Sequence, residues 1–309
     1  MNQPNMTVSY SPHIRDKITT SRIMLDVIIA LCPAFIVSIL VFGPRAALVT
    51  GTCLISCVFF EWAFEKILKR KNTIFDFSAI LTGLLLAFNL PVTIPLWQAV
   101  FGSFIAIILV KQLFGGLGKN FANPAITARI VMFLAFPITM TTWVVPGIDS
   151  VTGATPLSVL ANDGIESMPG IRDLFLGFHG GCIGETSELA LLIGGIYLII
   201  RRVITWHIPV SFIAIVFALT AVTGYHPVYH IFSGGLFLGA IFMATDYVTT
   251  PFTNPGRIIF GIGCGLLTVV IRLYGNYPEG VSFAILIMNI LVPFINKLTV
   301  TKALGGKKP

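Results

Sequence analysis

Ten apolar stretches divide this chain, most of them close to the ~20 helical residues needed to cross a hydrocarbon core of about 30 Å. They run approximately over 23–43, 46–67, 74–91, 95–112, 124–144, 188–205, 207–224, 229–246, 257–275 and 280–299. Each stretch is continuous rather than alternating with period two, which argues against a membrane barrel. The expected fold is an all-α polytopic membrane protein. Only 11% of residues are charged, against about 25% in a soluble domain. Pro33, Pro137 and Pro209 fall inside predicted spans, where bundle neighbours satisfy the freed carbonyls.

The net charge of +7 does not mark a nucleic-acid binder, because the basic residues gather at the ends of apolar runs. With the N-terminus inside, Arg45, Arg172 and Arg272 are the exceptions among 20 Lys and Arg; the rest fall on the cytoplasmic side. This bias predicts both termini in the cytoplasm. The chain then divides into a tail (1–22), five spans (23–144), an extracytoplasmic loop (145–187), five more spans (188–299) and a second tail (300–309). Five is odd, so the second half enters from the opposite side, and two halves of one fold would form an inverted repeat. Phe121-Ala122-Asn123-Pro124 and Phe252-Thr253-Asn254-Pro255 look alike. They read either as traces of that repeat or as two independent helix starts with an early proline.

Metal and thiol chemistry find little support. The five cysteines form no Cys-x-x-Cys pair, so an iron–sulfur or zinc site built by this chain alone is not expected. His207, His226 and His230 lack the company of a metal site. Cys182, the one thiol of the outer loop, reads as a bystander. Gly115-Gly116-x-Gly118-Lys119-Asn120 lacks the Ser or Thr of a phosphate loop and reads as a turn. Asp26, Glu61, Glu65, Asp76, Arg129 and Asp246 are placed near cytoplasmic span ends, where pairing or interfacial solvation suffices. Gly234, Gly235 and Gly239 are expected to allow close helix approach. No cleavable signal is expected at the N-terminus.

The 145–187 loop is too long for a connector. It carries Asp149, Thr152, Gly153, Ala154 and Thr155. Gly-Ala before the Thr155 hydroxyl leaves the backbone there unshielded and approachable, and a carboxylate lies upstream. A plain turn capped by Asp149 is the simpler alternative.

Asp-x-x-Thr-Gly-Ala-Thr resembles the flavinylation motif of the membrane flavoproteins of the Rnf and Na⁺-NQR complexes. The resemblance extends to Ser11-Pro12-His13-Ile14, to Gly115–Pro124, and to Met243-Ala244-Thr245-Asp246 with Pro251 and Gly256-Arg257. Within the family, the length resembles Rnf D subunits more than the longer Na⁺-NQR B subunits. The resemblance implies FMN joined to Thr155 by a phosphoester, installed on the outer face by an FMN transferase. It implies a fold akin to the urea transporters, with two inverted five-helix halves. It also implies a second, non-covalent flavin (riboflavin) toward the cytoplasmic side, with Gly116, Lys119, Asn120, Asn123 and Asp246 as neighbours. The implied role is electron transfer in a complex that passes electrons between ferredoxin and NAD⁺ and moves Na⁺ or H⁺. One flavin outside a 30 Å core cannot meet a cytoplasmic donor. Other membrane and redox subunits are therefore expected as partners, and no complete active site in this chain alone. A solute channel or transporter, or a scaffold without cofactor, would bear no covalent flavin.

Overall fold

The computed structural model describes residues 19–70, 72–144, 152–153, 155–162, 168–275 and 280–300. The protein is a helical, polytopic membrane protein. Among the described residues, four helices are long and apolar enough to span a bilayer: α1 (Thr20–Phe42), α2 (Pro44–Ile67), α13 (Asn254–Tyr274) and α14 (Val281–Thr299). Their ends follow local chemistry. Thr19 caps α1 by accepting from the Arg22 N–H. Gly43, at φ +75°, closes α1, and Pro44 opens α2 at once, a glycine–proline pair that reverses the chain in one residue. Shorter apolar helices lie between the long ones: α3 (Ser78–Phe88), α4 (Leu96–Phe104), α5 (Pro124–Ala135), α9 (Glu188–Ile200) and α10 (His207–Val222). The minor elements are α6 (Pro137–Met140), α7 (Pro156–Asn162), α8 (Ile171–Leu176), α11 (Pro227–Ile231) and α12 (Leu236–Leu238).

Several predicted spans are not continuous helices. In 74–91 a 3₁₀ turn (Ile74–Asp76) precedes Phe77, which sits in the left-handed region at φ +63° and starts α3. That helix stops at Asn89, whose amide turns back to the Leu85 carbonyl, and Pro91 cannot continue it. In 229–246 the chain breaks at Gly234 (φ +61°) and Gly235 (φ +43°). Beyond the close approach expected of them, these two glycines make a break, since only glycine adopts such angles without strain. Gly239 does permit close approach: a methyl group there would overlap Val281. The helix resumes as α12 and continues as a π-helical stretch, Gly239–Met243. In 95–112, α4 likewise runs into a π-helix, Ile105–Gln112, which turns Lys111 and Gln112 into the interior. In 124–144, α5 ends at Ala135, before Pro137.

Two further features repeat. A left-handed residue, Phe77 or Gly235, precedes α3 and α12 alike. After each interrupted helix comes Val-Thr-x-Pro, as Val92-Thr93-Ile94-Pro95 and Val248-Thr249-Thr250-Pro251. By contrast, the Phe-x-Asn-Pro pair marks two helix starts: Asn123 caps α5 and Thr253 caps α13, each with proline in the first turn.

Part of the predicted outer loop is packed among the helices. Ile183 N–H donates to the Leu90 carbonyl at 3.0 Å, and Gly184 N–H to that of Phe88 at 2.9 Å. These bonds satisfy carbonyls that the end of α3 leaves open. Gly184 must be glycine, because a Cβ would enter the Phe88 ring. Glu185, the next residue, reaches Arg129 of α5 at 3.2 Å. Arg129 is thus not at a span end exposed to solvent. It is 7% exposed, and the same guanidinium bonds to Asn89 at 2.9 Å and Ser282 at 3.0 Å.

Helix α9 lies along α1, with Gly194 against the Ala30 carbonyl, a spot a methyl group would overlap. Overpacking of this kind costs about 1–3 kcal/mol. Gly194→Ala should therefore lower the thermal unfolding midpoint of the purified protein in detergent, whereas Gly51→Ala, which meets nothing within 4 Å, should leave it nearly unchanged.

Candidate functional site

The Thr-Gly-Ala-Thr segment is held by a small ribbon. β1 (Trp143–Val144) pairs antiparallel with β2 (Thr152–Gly153), with Trp143 opposite Gly153. Thr155 then caps α7. Its Oγ1 accepts from the Ser158 N–H at 3.2 Å, and Ser158 Oγ donates to the Thr155 carbonyl at 2.8 Å. Thr before Pro is a favoured helix start, because Thr satisfies the open N–H and Pro needs none. Two residues on, Leu157 packs into the space that Gly234 leaves by lacking a side chain. The flavinylation-like segment is therefore anchored on the helix break of the second half.

Thr155 is 6% exposed, although Gly-Ala precedes it. The same cap that starts α7 engages its hydroxyl oxygen. Asp149 and Ala154 lie outside the described residues. Thr152 and Gly153 are placed by the ribbon.

Beneath this segment lies a polar cluster that sequence reasoning missed. Glu185 is 3% exposed, and a Cβ on Gly235 would stand 2.5 Å from its Oε1. Cys182, expected to be a bystander, is fully buried; its thiol lies 3.5 Å from Arg129 and 3.4 Å from the Asn89 carbonyl. Burial pushes the nearby His179 imidazole below its ordinary value. Arg129 is the cation in direct contact with Glu185.

At the opposite end of α9 lies a pocket partly open to the outside. Its walls include Leu85, Asn120, Asn123, Phe242 and Asp246. Asn123 is fixed by its own cap and by donating to the Met243 carbonyl at 3.3 Å. Asp246 accepts from the Thr249 hydroxyl at 3.0 Å. Asn120, Asn123 and Asp246 were expected together and are together. Gly116 and Lys119 are not among the lining residues; they belong to a turn in which Gly115, Gly116 and Gly118 all have positive φ. The cation at the wall is Lys111, one of the basic residues assigned to the cytoplasmic side. It is 2% exposed and holds Glu61 at 2.7 Å and the Ser78 hydroxyl at 2.6 Å. Mostly apolar walls with a few convergent polar groups suit a small planar ligand. Among the described residues no group of His, Cys, Asp and Glu is arranged to hold a metal.

The profile of the NQR2, RnfD, RnfE family matches residues 7–305. The chain belongs to this family. It is 50% identical over 311 residues to the D subunit of the Na(+)-translocating ferredoxin:NAD(+) oxidoreductase complex of Acetobacterium woodii, covering 100% of this chain and 98% of that one. It is 44% identical to the D subunit of the proton-translocating ferredoxin:NAD(+) oxidoreductase complex of Clostridium ljungdahlii, over 98% and 97% of the two chains. Against the D subunit of the ion-translocating oxidoreductase complex of Escherichia coli (strain K12 / DH10B) it is 35% identical, over 97% and 99%. The resemblance read from the sequence is thereby confirmed over the whole length of this NQR2, RnfD, RnfE family member.

Breaking a buried ion pair by removing one partner costs about 3–5 kcal/mol, whereas replacing both by apolar residues is often neutral. Glu185→Gln should therefore lower the unfolding midpoint in detergent well below that of the double variant Arg129→Met/Glu185→Met. Equal midpoints would mean the pair carries no coupling.

Proposed function

We propose that this family member is the membrane electron-transfer subunit of an Rnf-type ferredoxin:NAD⁺ oxidoreductase complex, coupled to ion translocation, and that it carries FMN on Thr155. The observation that carries the assignment is the Thr-Gly-Ala-Thr segment, in a chain whose relatives over full length are D subunits of such complexes. The chain acts as one part of a translocase and needs the other membrane and redox subunits.

Thr155 supplies the oxygen for a phosphoester. Because that oxygen caps α7 and is buried, an FMN transferase must meet the segment with the cap open. With the cap open, the Ser158 N–H would be free to donate to a phosphate carried on Thr155. A flavin passes one or two electrons and so links single-electron carriers. The tether keeps it on the protein; potential is set by walls and hydrogen bonds around the ring.

The basic-residue bias supports cytoplasmic termini and an extracytoplasmic 145–187 loop in a bacterial inner membrane. The repeated left-handed break and the two Val-Thr-x-Pro stretches support two five-helix halves of inverted topology. On this orientation the cavity at Asn120, Asn123 and Asp246 opens toward the cytoplasm, at the other end of α9 from Thr155. It is the place for a second, non-covalent flavin such as riboflavin, with Asn120 and Asn123 as hydrogen-bonding partners and Leu85 and Phe242 as walls. The packing of residues 180–187 against Phe88, Leu90 and Arg129 weighs against an open solute pore.

Thr155→Val should abolish in-gel ultraviolet fluorescence of the denatured protein while the chain still inserts, since the valine keeps the shape but has no oxygen. A fluorescent Thr155→Val band would place the attachment elsewhere. A phosphatase or reporter domain inserted in the 145–187 loop should be active only outside the cytoplasm, and cytoplasmic activity would reverse the topology.

A further inference from the structure

The turn between α9 and α10 and the start of α13 border a cleft open on one side. Arg202 and Arg257 line it, with the hydroxyls of Thr205 and Thr250 and the apolar side chains of Ile208 and Phe252. Among the described residues, no carboxylate lines it. The neighbouring Arg201 is committed to Asp26 at 3.1 Å. Arg202 makes no side-chain hydrogen bond among the described residues, and its backbone holds the left-handed value φ +57°, unfavourable for a residue with a Cβ. Arg257 is fixed by the Pro251 carbonyl at 3.2 Å, Thr205 Oγ1 at 3.3 Å and Asn254 Oδ1 at 3.4 Å. These bonds use Nε and Nη1 and leave Nη2 without a partner among the described residues. Arg257 also stands in the first turn of α13, which has no acidic residue. A helix start is already positive, so a cation there is unfavourable unless an anion joins it.

We propose that this cleft binds the phosphate head group of an anionic glycerophospholipid. Two guanidinium groups with open donors match phosphate oxygens, and basic pockets between helices at the cytoplasmic face bind such head groups. The rim is built for a bilayer interface. Trp206 is 54% and Phe252 78% exposed, as aromatic residues at the head-group level are. Phe252, 78% exposed, offers an acyl chain an apolar surface that free phosphate would leave unused. The cleft shares Val203, Ile204, Thr245 and Tyr247 with the pocket at Asn123 and Asp246, and the Tyr247 hydroxyl donates to the Val203 carbonyl. A bound lipid therefore braces the cavity wall from outside. The site is independent of either flavin assignment.

The test uses the intact complex, delipidated in detergent and titrated with phosphatidylglycerol or phosphatidylcholine, with bound lipid counted by native mass spectrometry. Wild-type complex should retain phosphatidylglycerol in preference to phosphatidylcholine. Arg202→Gln should weaken the phosphatidylglycerol binding about fivefold, the share of one basic residue at an anionic surface, and Arg202→Lys should restore most of it. Arg202 carries the test because its side chain supports no other described contact, whereas Arg257→Gln also loosens the Pro251 turn. Equal retention of both lipids, or phosphatidylglycerol binding unchanged in Arg202→Gln, overturns the proposal. So does displacement of the lipid by millimolar inorganic phosphate with equal protection of the fold, which would assign a free-anion site.

Discussion

One buried ion pair, Arg129 with Glu185, organises the centre of this protein. Two charges in a low-dielectric interior are costly unless each is fully bonded, and here the surroundings supply the bonds. Arg129 also reaches Asn89 and Ser282. Asn89 is the C-terminal cap of α3, and Gly235, beside Glu185, is the N-terminal cap of α12. The cation thus stands at the negative end of one interrupted helix and the anion at the positive end of another, so both helix dipoles favour the pair. Removing either charge would strand its partner and expose a helix end.

Everything near Thr155 depends on that arrangement. Glu185 belongs to the stretch that follows the flavinylation-like segment in the chain, and Ile183 and Gly184 are tied to the end of α3. Leu157, two residues beyond Thr155, rests on Gly234, next to the same break. The loop is therefore not an appendage on a membrane bundle. It is clamped to both interrupted helices, which gives a group carried at Thr155 a fixed relation to the transmembrane core and to the cavity at the far end of α9.

Much of this was legible in the residues. Continuous apolar runs located every long helix to within a few positions, because length and composition alone decide whether a helix suits hydrocarbon. Helix starts at Asn123 and Thr253 were readable from cap and proline chemistry. The Asn120, Asn123 and Asp246 grouping came from family resemblance and proved to line one cavity. The interruptions were harder. Phe77 gives no local sign of a left-handed angle, and Gly234-Gly235 suits a break or a close contact equally well. The Val-Thr-x-Pro repeat was present in the sequence but short, while the more conspicuous Phe-x-Asn-Pro pair marked only two helix starts. Nothing in the sequence singled out Lys111; the π-helical turn places it inward on Glu61, a placement that depends on packing.

The sequence by itself determined that the chain crosses a membrane as helices, the charge bias that sets the expected sidedness, and the presence of a threonine in a flavinylation-like motif. These are properties of composition, local spacing and covalent chemistry. Only the tertiary structure decided that Arg129 meets Glu185, that residues 180–187 descend among the helices, and that the Thr155 hydroxyl is buried in a cap. Each of these joins groups distant in the chain, and the physical reason is the same throughout. A polar group in an apolar interior must find a partner, and which partner is near enough depends on how the helices are broken and packed.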